Sequence, residues 1–293
     1  MLGLSVSIPA LALASSLVAL GVSPVLAVIN VILGNVIVLI PIQLNSHVGT
    51  KYGIPYPIFA RMTFGNKGAK LSTISRSIIG CGWTSIQSWV GGGALAALIG
   101  IVIPFFSDQS QTISMPGNDN VMVGQLIGFA VFVLVCGWVA YNGMEKIKWV
   151  QNISAPLLIV VITGLIIWSI YTIYATGHSF MDVFRVGNNE ALIEQNGGFA
   201  YVYLAGLTAN IAYWATMALN IPDFSKMAKS QKDQFNGQLI GMPIPMAVCA
   251  IAGALFAQAT TYAYGTASYD PTTVFFYMSN PLAVAVCAIG VIV

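Results

Sequence analysis

The sequence predicts an all-α integral membrane protein, and three observations lead there. Only 7% of the 293 residues are charged while 57% are hydrophobic, against roughly 25% charged in a soluble domain. Apolar runs long enough to cross a hydrocarbon core of about 30 Å recur along the chain. The 11 basic and 9 acidic side chains fall between these runs or at their ends.

The runs lie at 2–21, 24–45, 77–104, 122–141, 149–175, 199–221 and 234–262, giving seven full spans. An eighth starts near Pro281 and is cut short at Val293, so the chain is expected to be a fragment. The first run, MLGLSVSIPALALASSLVALG, carries no Lys or Arg. It therefore lacks the basic opening of a secretory signal and reads as a membrane helix short of its first turns. Between runs two and three, Gly53, Pro55 and Pro57 predict a structured turn within the basic segment 46–76. That segment reads as an orientation signal in contact with anionic lipid. In the third run, Gly91, Gly92 and Gly93 allow another helix to approach closely. After the sixth, Asp223 in NIPDF reads as the cap of the short helix that follows. Cys81, Cys136, Cys249 and Cys287 all fall in apolar spans as small hydrophobes, with neither a disulfide framework nor metal-type spacing.

Charge placement sets orientation. Lys51, Arg61, Lys67, Lys70 and Arg76 precede the third run, Lys146 and Lys148 the fifth, and Lys226, Lys229 and Lys232 the seventh, leaving Arg185 alone on the other side. By the positive-inside rule these segments face the cytoplasm. The amino terminus is then cytoplasmic, and the expected location is a cell (inner) membrane crossed many times. Because five is odd, spans one and six enter from opposite sides. A five-helix unit repeated in tandem must invert, with residues 1–175 as the first repeat and 176–293 as the start of the second. Inverted repeats are a hallmark of secondary transporters.

Such carriers bind substrate near the midplane beside helices whose hydrogen bonding is interrupted. Span one carries Ser7-Ile8-Pro9, and a proline inside a helix removes a backbone hydrogen bond. Span six reads GLTANIAYWATMALNIP, in which Gly206, Thr208, Asn210 and Thr216 make a polar run. A kink and a few packing hydroxyls would explain either helix alone; the matched places at the head of each repeat favour paired breaks.

Depth separates two tryptophans from the interfacial belt. Counted from Arg76 at about 1.5 Å per residue, Trp83 lies roughly 10 Å and Gln87 roughly 16 Å into the membrane. Counted from Pro222, Trp214 lies about 12 Å in. Trp83 and Gln87 share one helix face, continued by Gly80, Thr84 and Gly91. Such a face suits a flat heterocycle with alternating C=O and N–H groups. The ring stacks on indole, and the amide supplies one acceptor and two donors. Packing between helices is the other use open to these side chains.

Taken together, these stretches resemble the nucleobase:cation symporter-1 family, which transports cytosine, uracil, allantoin, hydantoins and related compounds. The likeness runs through SIPALALASSLVALG, GNVIVLIPIQLNSHVGTKYGIPYPIFARMTFG, GWTSIQSWVGG and NIPDFSKMAKSQKDQ. It implies a LeuT-like fold of two inverted five-helix repeats plus two further helices, incomplete here in span eight. It implies that Trp83 stacks on the substrate ring, Gln87 hydrogen-bonds its polar edge, Trp214 covers the other side and Ile8 makes contacts at the break in span one. In sodium-using members the ion is held by main-chain carbonyls at that break, where Leu4 and Ser7 stand, and by residues of span eight. The chain departs from the family pattern at Thr84 and Ser85, where an aromatic and a glycine are common, and at Ala212 and Tyr213, where Gly-Phe is common. These positions, Tyr213 among them, border the expected pocket and bear on which heterocycle is carried.

The expected function is import of a nucleobase or related cyclic ureide by cation symport with alternating access, the substrate meeting spans one, three, six and eight. The expected partners are that heterocycle and the lipid bilayer, with no nucleic acid and no cofactor besides a coupling ion, Na⁺ or H⁺. No carboxylate or histidine sits mid-span, so neutral oxygens would hold the ion, which favours Na⁺. A membrane-embedded enzyme would need a Ser/His or paired-Asp constellation or HExxH, whereas His47 and His178 lie in loops on opposite faces. A channel, the third class, is told apart by the absence of saturable, gradient-driven accumulation.

Overall fold

The computed structural model describes residues 5, 7–108, 110–115, 118–269 and 288; the eighth run, Leu4 and Cys287 lie outside them. The helices are α1 Ile8–Ala19, α2 Pro24–Tyr52, α3 Tyr56–Gly100, α4 Val123–Tyr141, α5 Met144–Ala175, the short α6 Phe180–Arg185 and α7 Glu190–Gln195, α8 Phe199–Asn220, α9 Pro222–Ser225, α10 Gln231–Gly241 and α11 Pro243–Tyr264. Between α3 and α4 the chain forms a hairpin, β1 Thr112–Met115 antiparallel to β2 Asn118–Met122, with Thr112 opposite Met122 and Ile113 opposite Val121. Every apolar run among the described residues falls on one of these helices. α2, α4, most of α5, α8 and the α10–α11 pair are long and apolar enough to cross a membrane. α1 has only 12 residues, and the third run is diluted by GWTSIQSW.

The basic segment between runs two and three is mostly helix. α2 continues to Tyr52 and is closed by Gly53, whose φ of 67° is left-handed and whose N–H donates to Gly49 O at 2.8 Å. The chain turns through Ile54 and Pro55, and α3 starts at Tyr56. Within α3, Gly65 is non-helical (φ 66°, ψ 177°), and the helix resumes at once, so Arg76 sits in mid-helix. The cap of this helix comes from far away. Tyr56 N donates to Asp223 Oδ1 at 2.8 Å, so Asp223 caps α3. Its own helix α9 has Ile221 at the capping position and no side-chain cap. The expectation of a local cap is corrected: the first-turn N–H of α3, 167 residues away, is the better-placed donor.

The described residues form two compact units. Met1–Gly82 with Ser169–Tyr269 make the first, and Trp83–Trp168 with Asp270–Val293 the second. The first gathers spans one, two, six and seven. α11 packs against α1, and Gly253 lies where any Cβ would meet the carbonyl oxygen of Leu11. From Ala252 to Thr260 every α11 residue is buried, the signature of a helix enclosed on all sides. Leu17, Val18, Val22, Ala27, Val202, Ala254 and Ala257 form a core cluster. Amides also tie helices of this unit together. Gln234 Nε2 donates to Gln43 Oε1 (2.7 Å) and Gln238 Oε1 (2.8 Å), Gln238 Nε2 to Ser46 Oγ (2.6 Å), and Asn45 Nδ2 to Ala218 O (2.8 Å).

In the second unit α3 meets α4 at glycines. A Cβ on Gly92 would strike the backbone of Phe129, and one on Gly128 the carbonyl of Gly92. Trp89 lies beside Phe129 with ring centroids 5.8 Å apart. The close approach expected of Gly91, Gly92 and Gly93 is thus realised at Gly92, and Gly91 faces the Phe132 ring.

Candidate functional site

Span one is interrupted at Ser7. This residue is extended (φ −157°, ψ 159°), its Oγ accepts from Ala10 N at 3.3 Å, and α1 begins at Ile8. Pro9 therefore occupies the first helical turn, where its missing N–H breaks no hydrogen bond. The break expected from an interior proline is one residue pair earlier and made by a serine cap. Ser7 Oγ also shares a hydrogen bond of 2.8 Å with Tyr213 Oη on α8. Ser5 Oγ donates to Gly241 O at 2.9 Å, so the head of span one is tied to spans six and seven together. Ser7 O accepts from Leu11 N at 3.3 Å, which leaves that carbonyl one lone pair for a cation.

Span six, in contrast, is an unbroken helix of 22 residues. Its polar run is spent on packing. Thr208 Oγ1 donates back to Leu204 O at 2.8 Å, and Asn210 Nδ2 to Asn30 Oδ1 at 2.8 Å and Gly206 O at 3.0 Å. Asn30 Nδ2 in turn donates to Tyr203 O at 2.9 Å, and Leu17 fills the space that a Cβ on Gly206 would need. The paired-break expectation fails for this helix because its side-chain amide finds a partner on α2 without releasing any backbone group.

The structure brings Ser7, Ile8, Tyr213 and Trp214 together where α1 begins. Ile8 is buried, and Trp214 is 2% exposed and lies edge-on to Tyr213 with centroids 5.4 Å apart. The Trp214 Nε1–H has no hydrogen-bond partner among the described residues, and neither does Asn210 Oδ1 one helical turn before it. A buried unsatisfied donor costs about 1–3 kcal/mol. Such a pair, one donor and one acceptor, suits an amide-like ligand edge or an ordered water.

Trp83 and Gln87 belong to the second unit. Trp83 is half-buried, whereas Gln87 is exposed and its amide makes no hydrogen bond among the described residues. The amide is thus not spent on a neighbouring helix. Leu4 lies outside the described residues, so the proposed cation ligands are represented by Ser7 alone. Among the described residues no three His, Cys, Asp or Glu side chains gather to hold a metal. Sequence reasoning missed the Ser7–Tyr213 bond, whose partners are 206 residues apart, and the Asn30–Asn210 pair. The second had a signal, since an asparagine within a run as apolar as α2 asks for a partner.

A family model described as permease for cytosine/purines, uracil, thiamine and allantoin matches residues 1–293. The purine-uracil permease NCS1 of Arabidopsis thaliana is 35% identical over 270 residues, which are 92% of this chain and 43% of that protein. The allantoin permease of Bacillus subtilis (strain 168) is 28% identical over 97% of the chain and 56% of that protein. Two solved structures of Mhp1 cover 99% of the chain and 59% of theirs at 16% identity. The inward-facing one has a TM-score of 0.74, and the closed one, with bromovinylhydantoin bound, 0.69. That likeness shows the fold. The chain spans about half the length of the relatives that it matches.

Proposed function

The chain belongs to the permease family for cytosine/purines, uracil, thiamine and allantoin, and from that premise we propose that it forms part of a secondary carrier importing a nucleobase or cyclic ureide by cation symport. The purine-uracil and allantoin permeases that it resembles support this reading. The observation that carries the proposal is the junction of Ser7 and Tyr213, which holds the interrupted head of span one against span six beside a Trp214 N–H that has no partner among the described residues.

In this reading, which rests on the family pattern, Trp83, Gln87, Trp214 and Ile8 are the substrate-binding residues, and Tyr213 limits the size of the heterocycle. Ser7 O and Leu4 O are cation ligands, and Na⁺ is the coupling ion, because the described spans offer neutral oxygens and no carboxylate. Residues 1–175 and 176–293 are the two repeats. Spans one and two of the first repeat share a body with spans six and seven of the second, as helices related by an inverting two-fold would. Alternating access then moves α1, α2, α8, α10 and α11 as one body.

The test is competition among uracil, cytosine, allantoin and hydantoin for uptake by cells expressing the full-length protein, with and without sodium. Saturable, sodium-dependent uptake of one of these is expected. Gln87→Leu is expected to weaken its binding by about 1–3 kcal/mol, the worth of a lost buried hydrogen bond. Uptake that follows a pH gradient and ignores sodium would overturn the coupling assignment, and unchanged affinity in Gln87→Leu would remove that residue from the site.

A further inference from the structure

The cap that Asp223 supplies to Tyr56 leaves the rest of this region without negative charge. From Ser46 to Arg76 the sequence holds Lys51, Arg61, Lys67, Lys70 and Arg76 and no Asp or Glu. The bend at Gly65 sets the two segments of α3 around a cleft of about 570 Å³ lined by Pro57, Arg61, Asn66, Ala69, Lys70, Thr73 and Ile74. Neither Arg61 nor Lys70 makes an ion pair or hydrogen bond among the described residues. Around it Ile58, Met62, Phe64, Leu71 and Ile74 are between 45% and 74% exposed. Two uncompensated cations in one cleft call for an anion. An apolar wall at Ile74, continued by exposed aliphatic side chains, calls for a hydrocarbon chain beside it.

We infer that this cleft binds the phosphate headgroup of an anionic phospholipid, with Arg61 and Lys70 on the phosphate, Asn66 and Thr73 on the polar headgroup beyond it, and the acyl chains along Ile74. Arg61 is the stronger contact, since its planar fork matches two phosphate oxygens at once while Lys70 acts as a point charge. The volume is that of a small-ligand site, and basic pockets beside cytoplasmic helix ends are where headgroups dock. The inference rests on the orientation that the distribution of Lys and Arg predicts only for which leaflet supplies the lipid.

The full-length protein, purified in detergent, is titrated with dioleoylphosphatidylglycerol or dioleoylphosphatidylcholine, and bound lipid is read by native mass spectrometry. Heterocycle binding is measured on the same samples, so a failed lipid site and a failed carrier reading are separated. Each cation at a lipid surface is worth about fivefold, so R61Q/K70Q is expected to retain phosphatidylglycerol about 30-fold more weakly while K226Q/K229Q, with the same loss of charge, retains it as the parent does. Phosphatidylcholine is expected to bind more weakly than phosphatidylglycerol in the parent. Equal retention by the two double variants overturns the site. Displacement of the lipid by inorganic phosphate alone, at matched concentration, overturns the lipid as its occupant.

Discussion

The two units show different kinds of close contact among the described residues. In the first, polar side chains cross from helix to helix: Asn210 to Asn30, Gln234 to Gln43, Gln238 to Ser46, and Ser7 to Tyr213. In the second, α3 and α4 meet at Gly92 and Gly128 against phenylalanine rings. The membrane-length window of α10–α11 is 61% buried and that of α4 only 11%. Lipid tails are as apolar as leucine, so apolar burial gives little drive for helices to associate in a bilayer. What fixes their register is close backbone packing and directional bonds. The first unit shows both among the described residues. α4 presents Leu134 and Trp138, 73% and 62% exposed, at no cost wherever hydrocarbon covers them.

That contrast is tested most severely at its glycines, using the thermal midpoint of the full-length protein in detergent. Gly253→Ala is expected to cost about 3 kcal/mol, because the new methyl meets a backbone carbonyl that cannot swing away. A midpoint equal to the parent's would mean that α1 and α11 do not pack this tightly. Next comes Asn210→Leu, expected to cost about 1–3 kcal/mol by stranding the buried Asn30 amide; a double cycle with Asn30→Leu checks that the two losses are shared and not additive. Asp223→Ala removes the cap on α3 and is expected to cost about 1 kcal/mol, with hydrogen exchange rising at Tyr56 to Phe59. Exchange rising instead at Phe224 and Ser225 would restore the local cap. The smallest effect belongs to the second unit. A Cβ at Gly137 meets nothing within 4 Å, so Gly137→Ala is expected to stabilise α4 by about 0.5–1 kcal/mol through reduced backbone entropy. A loss there would show that α4 is as tightly packed as α11.

Much of the architecture was legible in the residue order. Ser23-Pro24 opens α2 where a capping hydroxyl and a first-turn proline belong, and Gly53 ends it where only glycine takes a left-handed φ cheaply. Of the candidate site, the residue types and their depth were legible, but their partners were not. Capping is normally local, so the sequence points Asp223 at the helix beside it; the fold offers it a donor on another helix. The polar run of span six suggested a broken helix because unpaired amides disrupt backbone bonding; Asn30 removed that conflict.

By itself, then, the sequence determined what depends on one-dimensional counts. The length and spacing of the apolar runs set where helices form and which of them are long and apolar enough to cross a membrane. The tertiary structure decided everything that depends on two distant segments meeting. It decided that Ser7 interrupts span one while span six stays whole, that Asp223 serves α3, and that Arg61 and Lys70 share a cleft without a carboxylate. A hydrogen bond or an ion pair is a property of two positions in space, and chain order constrains only one of them.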